Sequence, residues 1–177
     1  MSLLYDLVRW GYCLYKSKTE WKTEANAQTR FSREVYCILR GGGWFPGRAV
    51  PVPDSIKWHQ PAAAIAAEFG DLTFAGPWGE DQMGPDLRCT SVSIEREPYI
   101  NEEMRRFGLC EIGTICSEAR MFVDLDGLVY GDGMSYSAAS RLEPLGRSID
   151  RALECLLLGI RPRHADVSDH QQIDLTM

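Results

Sequence analysis

The 177-residue chain is short of several things at once, and each shortage removes a class of function. It has three histidines, His59, His164 and His170, so an imidazole-based catalytic or metal-binding cluster has little to draw on. It has no apolar run approaching the roughly 18 to 20 residues that a membrane-spanning helix needs, and its mean hydropathy is -0.24. The apolar opening MSLLYDLVRWGYCLY is interrupted by Asp6 and Arg9 and is followed by no small-residue cleavage site. We therefore read no signal peptide and no membrane partner, and expect a cytoplasmic protein. Positive charge is scarce too: 19 Lys and Arg stand against 25 Asp and Glu, a net charge of -6. An acidic chain with a pI near 5.1 lacks the basic face that nucleic acid requires. None of the six cysteines, Cys13, Cys37, Cys89, Cys110, Cys116 and Cys155, lie in a C-x-x-C pair. They read as reduced core residues rather than zinc ligands or a disulfide framework.

What is present is an ordinary globular composition, 45% hydrophobic and 25% charged, with length for one core. Its charges are unevenly placed. Residues 1 to 58 hold nine Lys/Arg and five Asp/Glu, residues 66 to 103 hold two and nine, and residues 104 to 177 hold eight and eleven. The middle of the chain is an acidic stretch, suited either to solvation or to docking a basic partner.

Periodicity divides the chain into a helical first part and a stranded second part. Residues 1 to 28 read as an amphipathic extension and linker. A helix is expected from Thr29 to Arg40, with Phe31, Val35, Ile38 and Leu39 on one stripe, stopped by Gly41-Gly42-Gly43. Trp44 to Arg48 forms a turn, and AVPVPDSIKWHQP an extended connector. Pro61 suits the first turn of an Ala-rich helix that ends at Gly70. Two-residue alternation then predicts strands in LTFAG, RCTSVSIE, LCEIGTI, ARMFVDL and LVYG, with SRLEPLG as one more. Asp126-Gly127 predicts a hairpin in which both residues tolerate positive φ. Gly146 to Leu158 reads as a closing amphipathic helix, and residues 161 to 177 as a loose polar tail.

Constellations with chemical potential each have a plainer explanation. The Gly41 to Arg48 run follows a helix rather than a strand and lacks the Lys-Ser/Thr of a phosphate loop. Asp124, Asp126 and Gly127 imitate a calcium loop, but the later carboxylates are missing and a hairpin turn accounts for them. His164, Asp166, Asp169 and His170 fall in the polar tail, and His59 has no evident base or nucleophile beside it. Paired carboxylates Glu80/Asp81 and Glu102/Glu103 sit in loop-like contexts with nothing to separate their pKa values. No enzyme, cofactor or metal is expected.

Gly43-Trp44-Phe45-Pro46-Gly47-Arg48 resembles the G-W-x-P-G-R signature of the third family of the SUKH superfamily, immunity proteins of bacterial polymorphic toxin systems. Four further motifs follow in that family's order: Glu68-Phe69-Gly70-Asp71-Leu72, Glu111-Ile112-Gly113, Val123 to Tyr130 with its Gly127, and Leu156-Leu157-Leu158-Gly159. The resemblance covers residues 29 to 160. It departs at Asp71, where the family usually has a second glycine. The fold it implies is a single α+β domain, a mostly antiparallel, twisted sheet of five or six strands flanked by helices. The function it implies is neutralisation of a cognate protein toxin, in many such systems a nuclease, by occluding its active site or substrate groove. A general interaction or scaffold module is the alternative, and an unrecognised small-molecule enzyme a third reading.

From the residues themselves, Trp44 is expected to plug the core and Arg48 to clamp backbone carbonyls or a carboxylate. The resemblance makes Gly43, Trp44, Pro46, Gly47, Arg48, Phe69, Gly70 and Gly127 the family signature, which we expect to be structural. The candidate partner-binding residues are the acidic Glu80, Asp81, Asp86, Glu95, Glu97, Glu102 and Glu103, with Trp78 and Tyr99 as aromatic anchors.

Overall fold

A computed structural model describes residues 30–76, 91–97, 102–116, 119–132 and 142–159. The expectations placed on residues 1 to 28, on the loop after residue 76 and on the polar tail lie outside these. Helix α1 spans Arg33–Gly41, four residues later than the apolar stripe suggests, because Ser32 caps it. The Ser32 hydroxyl accepts the Val35 amide at 3.4 Å, and Phe31 packs just ahead of the cap instead of inside the helix. The end of α1 is a Schellman motif: the Trp44 amide donates to the Leu39 carbonyl at 3.0 Å and the Gly43 amide to Arg40 at 3.1 Å. Gly43 takes φ +96°, the left-handed region that this ending demands.

The connector is not uniformly extended. Asp54–Ile56 turn into one short 3₁₀ segment that buries Ile56 completely, and helix α2 runs Gln60–Phe69 with Pro61 in its first turn. Its cap is His59, a fully buried side chain whose Nδ1 accepts the Ala62 amide at 3.2 Å. The ring proton then sits on Nε2, 3.0 Å from the Gly108 carbonyl.

The strands are β1 (Leu72–Ala75), β2 (Ser91–Ile94), β3 (Cys110–Ile115), β4 (Ala119–Val123), β5 (Val129–Gly131) and β6 (Glu143–Gly146). They pair in sequence order, every neighbour antiparallel, which makes the α+β expectation correct. Glu111-Ile112-Gly113 is the site of a register shift between β3 and β4. The β4–β5 hairpin differs in detail from its prediction. Gly127 alone has positive φ, +86°; Leu125, read as strand, lies in the turn and is 56% exposed. The Asp124 carboxylate holds this turn by accepting the amides of Asp126 and Leu128 at 3.0 and 2.9 Å and the Tyr130 hydroxyl at 2.9 Å. That arrangement uses up the carboxylate that imitated a calcium ligand.

Glu102 and Glu103 belong to a short helix, α3 (Glu102–Arg106), rather than a loop; five residues are too few to show a period. Helix α4 spans Ile149–Leu158 between a Ser148 cap and a left-handed Gly159. Gly146, expected in that helix, ends β6 instead.

Alternation splits the strands between two cores. Phe74, Val92, Ile94, Ile112, Ile115, Met121, Val123, Val129 and Leu145 pack against α1, α2 and α4. On the other side Phe122 and Tyr130 join Leu109, Leu128 and Leu142 in a smaller buried cluster. Cys110 and Cys155 are buried as expected, whereas Cys37 and Cys116 are half-buried.

Candidate functional site

The signature residues converge on one joint. The Schellman ending of α1 aims Trp44 inward, where it is 3% exposed. Its ring meets Phe31 and Tyr36 edge-on, at 5.5 and 5.9 Å, and stacks on Phe69 at 6.2 Å. Its indole N–H donates to Glu68 at 3.0 Å. The next four residues form a tight turn, the Arg48 amide donating to the Phe45 carbonyl at 3.1 Å, with Pro46 second and Gly47 third at φ +78°. This is the type II pattern, in which proline presets one torsion and glycine accepts the other.

That turn delivers Arg48 to the end of α2. Its guanidinium donates to the carbonyls of Glu68 and Gly70, both at 2.7 Å, groups a helix end leaves without partners, so cationic donors suit them doubly. The chain has no room for a side chain at Gly70: a Cβ there would lie 2.4 Å from the Ala66 carbonyl oxygen and 2.9 Å from the Arg96 Cα. Asp71 then takes φ +62° and donates its amide to Ile94 to start β1. A left-handed residue at this point is what a second glycine would suit, and aspartate is among the few residues that also tolerate it. The departure at Asp71 leaves this turn conformation in place.

Two residues outside the signature complete the joint. Arg30 holds Glu68 through Nη1 and Nη2 at 2.6 and 3.0 Å and Asp150 through Nε and Nη2 at 2.5 and 2.6 Å. It lies over the rings of Phe31 and Phe69. The hydrogen bond to Asp150 is the main influence that pushes the Arg30 pKa up. Neither partner is legible locally, since they lie 38 and 120 residues away in sequence.

The acidic candidates are divided. Glu95 and Glu97 follow β2 and Glu102 begins α3, all three exposed; Glu103 follows in α3. Trp78, Glu80, Asp81, Asp86 and Tyr99 lie outside the described residues. The strand register places Glu95, Glu97, the α3–β3 turn and the β4–β5 hairpin at one end of the sheet. Asp71 reaches the same end and faces Arg96 at 3.5 Å.

On the sheet surface away from the large core, Arg120 pairs with Asp132 through Nη2 and through Nε at 3.1 Å, and lies over Phe122. Burial pushes the Glu111 carboxyl above its ordinary pKa; Arg120 opposes this, and Asp132 and Glu95 add to it. This group takes up a proton more readily than an exposed glutamate, and Arg120 beside it is already held by Asp132. Burial also pushes the Cys110 thiol up to about 12 and Cys155 up to about 11, away from nucleophilic reactivity. Among the described residues no group of three or more His, Cys, Asp and Glu is placed to hold a metal ion, and no helix is long and apolar enough to cross a membrane.

The class this fold defines is an α+β domain: a six-stranded antiparallel meander with three longer helices over one face. Beyond that class, no protein-family model, curated protein or solved structure matches the chain.

Proposed function

We propose that the chain is a protein-binding domain of the SUKH immunity type, which neutralises a cognate toxin in the bacterial cytoplasm by covering its active site or substrate groove. The observation that supports this reading is the convergence of the resemblance's motifs. Trp44 and Arg48 from one motif meet Glu68, Phe69 and Gly70 from another, 20 and more residues further on. Motifs that recur together for a shared architecture are expected to make such a joint, and motifs matched by chance are not. The exposed acids Glu95, Glu97 and Glu102 suit a toxin with a basic substrate surface, where complementary charge speeds encounter.

The experiment is neutralisation. The protein is purified from its source cells beside a Glu80→Lys/Asp81→Lys/Asp86→Lys variant, and a partner retained by the wild type alone is identified. That partner, expressed by itself in a bacterial host, should arrest growth, and co-expression of the chain should restore it. A harmless partner, or arrest that the chain does not relieve, overturns the reading.

A further inference from the structure

Three large apolar side chains are exposed among the described residues: Phe45 at 48%, Phe107 at 51% and Leu125 at 56%. Two of them belong to adjoining turns, Phe107 just before Gly108 and Leu125 over it. Leu125 covers Gly108, so closely that a Cβ on Gly108 would sit 3.0 Å from the Leu125 Cδ1, and Phe107 is the next residue along. Neither is there to close its own turn. The hairpin is held by the Asp124 carboxylate and by Gly127. The α3–β3 turn is held by the amides of Phe107, Gly108 and Leu109, which donate to Met104, Arg105 and Met104 at 3.2, 3.1 and 2.8 Å, and by His59 on the Gly108 carbonyl. Two apolar residues are thus presented to solvent on backbone already fixed, which lowers the ordering cost of any contact they make.

The charge at this end of the sheet selects the occupant. Glu95, Glu97, Glu102 and Asp126 are exposed. Of the nearby cations, Arg96 faces Asp71, Arg105 lies over the Trp58 ring at 4.9 Å and keeps its charge, and Arg106 is exposed beside Phe107, so among the described residues two free cations stand against these four acids. The rim is acidic on balance, which repels an anionic lipid surface and attracts a basic protein.

We infer that this end of the sheet is a docking surface for a protein partner that offers an apolar recess bordered by Lys and Arg, with Phe107 and Leu125 as the anchors that enter it. The inference rests on the protein-binding role proposed above and specifies the surface and the partner's chemistry. An apolar centre within a charged border is the arrangement in which a few central residues carry most of the affinity.

The test places a photo-crosslinking phenylalanine analogue, one at a time, at Phe107 and Leu125, and at the exposed positions Glu34 and Ser55 on other elements, in the full chain in its source cells. Adducts from positions 107 and 125 should join one protein through a segment rich in Lys or Arg around apolar residues. That protein, made separately, should bind a Phe107→Ser/Leu125→Ser variant about thirtyfold more weakly than the wild type, while the variant's melting temperature and circular dichroism stay unchanged. Adducts from positions 34 or 55 alone would overturn this surface and leave the binding role standing. Adducts from none of the four would overturn this surface, and the neutralisation experiment above then decides the binding role separately. Adducts to a second copy of the chain, to lipid, or to a protein that binds the serine variant equally well would overturn the partner assigned here.

Discussion

The joint beneath Trp44 and the sheet end bearing Phe107 use the same kinds of residue to opposite effect. At the joint an aromatic ring is enclosed by three others, and Arg30, Arg48 and Glu68 find partners within the fold. At the sheet end an aromatic ring stands half in solvent, and Glu95, Glu97 and Glu102 are exposed. Charge and aromaticity alone therefore do not separate a structural residue from a contact residue. What separates them is whether the fold already satisfies the group. Substitutions at the joint should act on stability, and substitutions at the sheet end on binding.

The largest effect belongs to Trp44→Ala. Removing a buried indole leaves a cavity and takes the indole N–H donor away from the Glu68 carboxylate, so unfolding in urea should show a loss of about 3 to 5 kcal/mol. Phe107→Ala should change stability by about 0.5 kcal/mol or less. Similar losses at both positions would erase the distinction. Gly70→Ala comes next, because its Cβ must displace the Ala66 carbonyl or the Arg96 backbone, which typically costs about 1 to 3 kcal/mol. A neutral alanine there would mean that the α2–β1 corner yields and that the joint is less rigid than its contacts indicate.

Much of the first region was legible in the sequence because its determinants are local. The glycines after α1, the Pro46-Gly47 turn and the Phe69-Gly70 ending announce themselves within a few residues, and short apolar runs between turn residues, with alternation at Val92/Ile94 and Met121/Val123, mark the strands. What was not legible depends on distance or on brevity. Arg30 meets Asp150 across 120 residues, and no local pattern marks either. His59 caps α2 although histidine is not a usual cap, because its other nitrogen has the Gly108 carbonyl to bind. Helix α3 has five residues, and its glutamates passed for loop. Of the second region, the acidity was legible but the anchors were not. Leu125 reads as a strand residue and Phe107 belongs to no pattern until the turns that expose them are known, and the aromatic residues expected as anchors, Trp78 and Tyr99, lie outside the described residues.

A smaller effect sharpens the comparison from the sheet's outer surface. The Glu111 carboxyl is pushed up by burial, so the folded state holds its proton more tightly than the unfolded chain does. Stability is then lost as pH rises from the unfolded pKa through the raised one. Glu111→Gln removes the charge and should raise the melting temperature at pH 7, with the gain shrinking towards pH 4 as the wild-type group protonates. A gain that persists unchanged at pH 4 would assign the effect to packing, and a loss at pH 7 would mean that attraction to Arg120 outweighs burial.

The smallest effect is expected at Asp71, where the chain departs from the motif it resembles. Asp71 holds φ +62°, so Asp71→Gly relieves backbone strain in the folded state but enlarges the freedom of the unfolded chain, a term of about 0.4 to 1 kcal/mol in the opposite direction. It also removes an exposed pairing with Arg96, worth at most about 1 kcal/mol. These contributions nearly cancel, and the change in urea should stay within about 0.5 kcal/mol. Asp71→Val keeps the unfolded chain stiff and puts a branched side chain in the left-handed region, which should cost about 1 to 2 kcal/mol. The two variants together decide the matter. A tolerated valine would show that the corner can leave the left-handed conformation, and the glycine of the family pattern would then have no conformational reason at this position. A costly valine beside a neutral glycine would show that this corner requires a left-handed backbone and accepts any residue that tolerates one.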